Sequence, residues 1–298
     1  MTGNRKKKIL IVAYPKQGSI NPSLRFANRL LNLGVDVTFS TSLSVLRRFD
    51  KNTTCNGLTL APFSDGHDDG QQPTTTMEQF ISDFATNGVP AVDKIIAATA
   101  ATAQPFDHLV YTTISPWAAK VADANGLEST LLWCQPAIVL GVYYYYFNGY
   151  EALISCNSNN PTFPINLPGL PSLTITDLPS FFLSSSPKEH EIGLQIMKDH
   201  IDALRISVPT VAFAQWTDQT TIAKMIVDVW KTGVKVKRRE GDGVVEGNEI
   251  KRCVKIVMED GEIRRNAEKW RELARKALNS HGGSSSVNLK AFLDGCLK

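Results

Sequence analysis

Residues 208–219, VPTVAFAQWTDQ, set an indole, a carboxylate and a carboxamide directly after an apolar run rich in β-branched side chains. Such a run reads as a buried parallel strand, and the polar cluster at 215–219 opens a helix. Ligands of open α/β sheets lie off the carboxyl ends of the strands, so Trp216, Asp218 and Gln219 are placed to grip a small polyhydroxylated molecule. Each also has a plainer reading. Trp216 can be a packing aromatic beside the strand, and Asp218 with Gln219 can cap the helix by satisfying its free amides.

Proton transfer calls for a different set, and the sequence holds five histidines. His108 begins a strand that ends near Thr112, which at about 3.3 Å per residue puts it more than about 10 Å from the carboxyl edge. His190, His200 and His281 fall in helical or tail contexts, where a solvated or capping histidine is the default. His67 alone falls on a loop at the correct edge, and its default reading is an exposed loop histidine. The aromatics at 143–147, Tyr143 among them, form a face that packs on the sheet and edges a cleft. No basic residues interleave with them, which argues against a nucleic-acid stacking platform. Gly18 belongs to no GxGxxG pattern, so nicotinamide chemistry has little support.

The elements that must position these groups alternate. ILIVAY (9–14) suits a central parallel strand; 21–33 has helical spacing through Leu24, Ala27, Leu30 and Leu31, closed by Gly34. Strands follow at 35–40 and 57–63 with a short helix at 44–50 between them. A helix over 77–103 is expected to break at Gly88-Val89-Pro90, then come a strand at 108–114, a helix at 116–125, a strand at 129–134 and an aromatic helix. Residues 157–187 read as loop, and 189–204 as a helix running almost directly into the strand at 208. The pattern predicts a parallel, doubly wound sheet with right-handed crossovers. The last part supplies one good strand, a weak one at 234–237, and helices at 220–230, 246–258 and 262–280. Two strands rarely stand alone, so this part is expected either to dock on the first sheet or to be loosely ordered.

With 298 residues the chain has room for two domains, and a net charge of +3 is too small to imply a nucleic-acid partner. The basic residues of 231–255 interleave with acids, as on a solvated face. Cys55, Cys134, Cys156, Cys253 and Cys296 are odd in number and show no CxxC spacing, which suits reduced thiols in a cytosolic protein. The first apolar run is too short for a signal core and no stretch reaches membrane-spanning length, so a cytoplasmic protein that neither enters a membrane nor needs a nucleic acid is expected.

Continued through TTIAKMIVDVWKTGVKV to Val236, the 208–219 segment resembles the end of the signature box of plant UDP-sugar-dependent glycosyltransferases. YPKQGSINPSLRFANRL, FSDGHDDG, VYTTISPWAAKVA and LPGLPSLTITDLPSFF are similar to that family's first loop, third-strand loop and later N-terminal segments. The resemblance implies a two-domain glycosyltransferase B-type fold with Rossmann-like doubly wound parallel sheets. Residues 1–204 would be the acceptor domain and 205–298 the remnant of an incomplete UDP-sugar domain. It implies inverting transfer of glucose from UDP-glucose, as co-substrate, to a hydroxyl of a small flavonoid, anthocyanin or apocarotenoid-like acceptor in plant secondary metabolism. A monomer without metal or other cofactor is implied as well. Asp218 and Gln219, with Trp216, would hold the donor sugar, and Gln17, Gly18, His67 and Tyr143 would line the acceptor site.

Ser19 stands where the family has its basic histidine, and Thr112 where many members have the orienting aspartate, although the branch this chain resembles often has Thr there. KDHIDALRIS (198–207) matches none of the diphosphate-binding part of the box. A neutral serine hydroxyl cannot serve as a base unaided, and loss of a general base costs roughly 10²–10⁴ in rate. Severely impaired transfer is therefore expected, the alternative being a non-catalytic small-molecule binder or a non-functional truncated member of the family.

Overall fold

The computed structural model describes residues 5–47, 57–100, 102, 104–183, 186–205, 210–212, 219–237, 239, 246–278 and 282–296. Its strands are β1 (Lys8–Val12), β2 (Asp36–Ser40), β3 (Leu58–Leu60), β4 (His108–Thr112), β5 (Ser129–Trp133), β6 (Pro164–Ile165), β7 (Leu173–Thr174) and β8 (Thr210–Ala212). The helices are α1 (Gln17–Asn32), α2 (Leu43–Leu46), α3 (Met77–Ala100), α4 (Trp117–Ala124), α5 (Ala137–Tyr145), α6 (Glu151–Ser155), α7 (Ser180–Leu183), α8 (Pro187–Arg205), α9 (Gln219–Lys224), α10 (Gly247–Glu259), α11 (Gly261–Leu278) and α12 (Ser284–Cys296).

β1, β2, β4 and β5 are buried almost throughout because both of their faces are covered, and β1, β4 and β5 carry apolar runs at their centres. Alternate side chains sort to opposite layers. Leu10, Val12, Leu109, Tyr111, Leu131 and Trp133 pack against α3, α4, α5 and α8, whereas Ile9, Ile11, Val110 and Leu132 pack against α1 and α12. The sheet is parallel, in the order β3-β2-β1-β4-β5-β8. Its edges diverge from β1, so the carboxyl ends of β1 and β4 flank the switch point where ligands of such sheets bind.

Two elements of the segment after α8, β8 and α12, pack on this sheet. β8 is hydrogen-bonded to β5 in the register Leu131↔Thr210, Leu132↔Val211 and Trp133↔Ala212. On the opposite side Phe292 of α12 meets Phe26 of α1 at 5.9 Å and the ring of His108 at 5.8 Å. The predicted division at 204/205 falls in the last turn of α8 (Pro187–Arg205), and β8 beyond it pairs with β5.

Several local expectations are corrected. α3 runs unbroken through Pro90, because loss of one N–H is outweighed by burial of Phe80, Phe84, Val92 and Ile96 along its face. Gly88 serves packing here: a Cβ would lie 2.5 Å from the ring of Trp117. Residues 234–237 form no strand, and the Lys237 amide donates to Glu249 Oε1 at 2.8 Å instead of to a ladder. The loop 157–187 carries the β6–β7 pair and α7, and α12 was not foreseen from the pattern. Among the described residues no helix is long and apolar enough to cross a membrane. Cys134, Cys156 and Cys253 are free thiols; Cys55 lies outside the described residues.

His200, expected to be solvated or capping, is buried on the sheet-facing side of α8, stacked on Tyr111 at 5.9 Å and edge-on to Trp133 at 6.5 Å. Neither of its ring nitrogens has a hydrogen-bond partner. His190 does cap, its Nδ1 lying 2.8 Å from Phe181 O, and His281 lies outside the described residues. Burial lowers His200 to about 3 and His108, whose Nε2 meets Thr130 Oγ1 at 2.7 Å, to about 4, both from 6.5. Below pH 6.5 the unfolded chain therefore binds protons that the folded chain refuses, and stability is lost as pH falls from about 6.5 toward 4. At pH 5.5 each histidine contributes about 1.4 kcal/mol of that loss. His200→Phe is expected to leave stability at pH 7.5 unchanged or raised and to remove about half of the acid destabilisation between pH 7.5 and 5.5. Urea titrations at the two pH values measure this, and a slope equal to that of the parent chain would contradict it.

Candidate functional site

The carboxyl edge is built from the loop and first turn after β1, the long loop after β3, and the short turns after β4 and β5. The β1 loop is anchored on both sides: Ala13 N donates to Ser40 O at 3.0 Å, and Tyr14 N donates to Thr112 Oγ1 at 2.9 Å. Thr112 is wholly buried, and its hydroxyl oxygen is engaged by a backbone amide rather than by a side chain of α1. The turn after β4 is strained, with Ile114 at φ 77°, a conformation that costs a β-branched residue about 1–2 kcal/mol.

Gln17, Gly18 and Ser19 form the first turn of α1. Gln17 is exposed, whereas Ser19 is 8% exposed, its carbonyl accepting from Ser23 Oγ at 2.7 Å. The ring of Tyr14 packs edge-on against Phe80 at 6.0 Å and Phe84 at 5.4 Å. Burial, and after it the charge of Asp65, raises the Tyr14 phenol well above its usual range, so it stays protonated. Lys16 Nζ lies 4.5 Å from the centre of the Phe80 ring and donates to Gln71 Oε1 at 2.6 Å. Phe80 thus joins the β1 loop to the β3 loop.

His67, expected as an exposed loop residue, has a side chain only 12% exposed and a 2.9 Å bond from its Nε2 to Asp83 Oδ2. Asp83, Gln79 and Asn87 were not singled out from the sequence. Their four-residue spacing on one face of α3 is the signal that could have found them. Tyr143 is 2% exposed and stacked on Phe182 at 5.2 Å, and burial raises its phenol.

At the far end of the edge, α9 begins at Gln219 and is seated by Thr221, whose buried hydroxyl donates to Asp177 O at 2.7 Å. Asp177 Oδ2 accepts from Thr174 N at 2.9 Å and Thr174 Oγ1 at 2.8 Å, so the loop under α9 is itself capped. Trp216 and Asp218, and the side chain of Gln219, lie outside the described residues.

No protein-family model matches the chain. UDP-glycosyltransferase 75C1 of Solanum lycopersicum is 32% identical over 460 aligned positions, covering 96% of this chain and 97% of that relative. Phloretin 4'-O-glucosyltransferase of Malus domestica is 31% identical, with 96% and 97% covered, and crocetin glucosyltransferase of Gardenia jasminoides is 30% identical, with 97% of each covered. A solved UDP-glucosyltransferase from Polygonum tinctorium superposes with a TM-score of 0.81 at 14% identity over 100% of both chains. UGT2 of Phytolacca americana, complexed with UDP-2-fluoro-glucose and pterostilbene, superposes with a TM-score of 0.79 at 14% identity, covering 98% of this chain and all of that one.

Sheet order and superposition together define the fold class as the Rossmann-like, glycosyltransferase B-type. The chain belongs to the plant UDP-glycosyltransferase family. An alignment of 460 positions against 298 residues leaves at least 162 positions (460 less 298) with no residue in this chain.

Thr112→Val keeps the shape of the side chain but leaves the buried Tyr14 amide unpaired, and a loss of about 1–3 kcal/mol is expected. Thr112→Ser keeps the acceptor and is expected to lose less. Equilibrium denaturation checks both; equal stability of the parent and the valine variant would show that the bond does not hold the loop.

Proposed function

We infer that this chain is a shortened plant UDP-glycosyltransferase that holds a small, largely apolar, hydroxylated acceptor at the β1–β4 edge and transfers glucose from UDP-glucose poorly. A relative named phloretin 4'-O-glucosyltransferase supports this substrate class. One observation carries the impairment. At the position where the family resemblance calls for a histidine stands Ser19, and the hydroxyl of Thr112, at the position of the orienting aspartate, is engaged by the Tyr14 amide. A neutral serine hydroxyl cannot take a proton unaided, so general-base catalysis by the family's route is lost.

The uncounterparted alignment positions support a second defect on the donor side. We place them in the nucleotide-clasping part of the signature box, because the sequence before residue 208 matches none of it. Leaving-group stabilisation and donor affinity then fall together, and the sugar-holding residues Trp216, Asp218 and Gln219 remain without the diphosphate clasp. An anchored first loop, a packed aromatic edge and a complete sheet favour the companion reading, a monomeric cytoplasmic protein that binds acceptors without turning them over.

Titration calorimetry and product analysis test this reading. Phloretin is expected to bind, UDP-glucose to give no measurable heat at millimolar concentration, and glucoside to form at a small fraction of ordinary rates. Ser19→His repairs the base alone, so it is expected to raise turnover less than about tenfold, against the 10²–10⁴ a restored base would give if it were the sole defect. Full-speed turnover by the parent chain, or a rise of 10² or more in the variant, would contradict the donor-side defect.

A further inference from the structure

The loop after β3 holds an arrangement that the family reaction does not use. His67 Nε2–H donates to Asp83 Oδ2 at 2.9 Å, and the other oxygen of Asp83 accepts from Gln79 Nε2 at 2.6 Å. The pair is fixed from both sides. Asp65, wholly buried, accepts the His67 amide on Oδ1 at 3.0 Å; Asn87 Nδ2 donates to Asp65 O at 3.3 Å and to Asp83 O at 2.9 Å, tying the loop to α3. The imidazole lies 5.1 Å from the Phe80 ring, whose other neighbours are Tyr14 and Lys16 of the β1 loop.

An ionised carboxylate can only accept a hydrogen bond, so the proton of this pair resides on Nε2 and the lone pair on Nδ1. Among the described residues Nδ1 has no hydrogen-bond partner. An imidazole oriented by a carboxylate, with its free nitrogen carrying the lone pair, is an acceptor for a hydroxyl proton. A loop staple would need neither the carboxylate held at both oxygens nor a ring seated on the aromatic floor shared with the β1 loop.

We propose that His67 and Asp83 are the hydroxyl-binding dyad of the acceptor site. Nδ1 accepts the O–H of a phenolic acceptor and takes its proton: the O–H bond breaks, the Nδ1–H bond forms, the oxygen keeps the electron pair, and Asp83 opposes the charge of the imidazolium. The proposal rests on the acceptor reading above, and the test separates the two.

Phloretin serves as the probe, with affinity read by calorimetry and proton transfer by the red-shifted phenolate absorption band of the bound phenol. The parent chain is expected to bind it and show the band. His67→Gln is expected to weaken binding about tenfold and abolish the band, and Asp83→Asn to reduce the band while binding persists. Should a variant fail to fold, the parent chain supplies the same information: the ¹⁵N resonance of His67 Nδ1 is expected to move toward the protonated position when phloretin is added. Binding with an unchanged Nδ1 resonance, or a His67→Gln variant equal to the parent in affinity and absorption, would overturn the dyad and leave the acceptor reading standing. No binding of phloretin by the parent chain would overturn both.

Discussion

The ligand-facing edge depends on the hydrogen bonds between β5 and β8. Leu131, Leu132 and Trp133 are wholly buried, and backbone amides and carbonyls so far from water must be paired. The strand that pairs them comes from the segment that follows α8, in register from Leu131↔Thr210 to Trp133↔Ala212. With β8 in place, the loops after β1, β3, β4 and β5 leave the sheet at one edge. A chain with at least 162 fewer positions than its alignment with a relative (460 less 298) can therefore still complete a doubly wound sheet.

The central strands were legible in the sequence because both of their faces are buried, which leaves no polar residue to interrupt the apolar run. That Thr112 lies near the end of a strand was legible in the apolar pattern. What Thr112 does was not, because its partner is a backbone amide 98 residues away. Pro90 misled for the opposite reason: local preference predicts a break, and packing of Phe84 and Val92 overrides it. His200 carries no polar signal of burial, being enclosed by Tyr111 and Trp133 from distant strands. His67 and Asp83 lie 16 residues apart across a long loop, and only the fold brings their rings and oxygens together.

The β1–β4 edge and the helices after β8 differ sharply in this chain. The edge is built from buried, mutually anchored residues on the loops after β1, β3 and β4. α9 is seated on Asp177, but α10 and α11 beyond it turn Ile250, Val254, Met258, Trp270 and Leu273 toward solvent. Amphipathic helices ordinarily bury such faces against a sheet, and no second parallel sheet stands beside them among the described residues. The chain thus keeps one complete layered unit together with helices suited to another.

Native-state hydrogen exchange of the β5 and β8 amides tests the role of β8 most directly. If β8 completes the sheet, the amides of Val211 and Ala212 exchange in the same slow class as those of Leu131 and Leu132, and removal of residues 206–298 speeds exchange along β5. Rapid exchange at Val211 and Ala212 beside a fully protected β5 would show that the sheet closes without β8, and the placement of the edge loops on a single unit would fail with it.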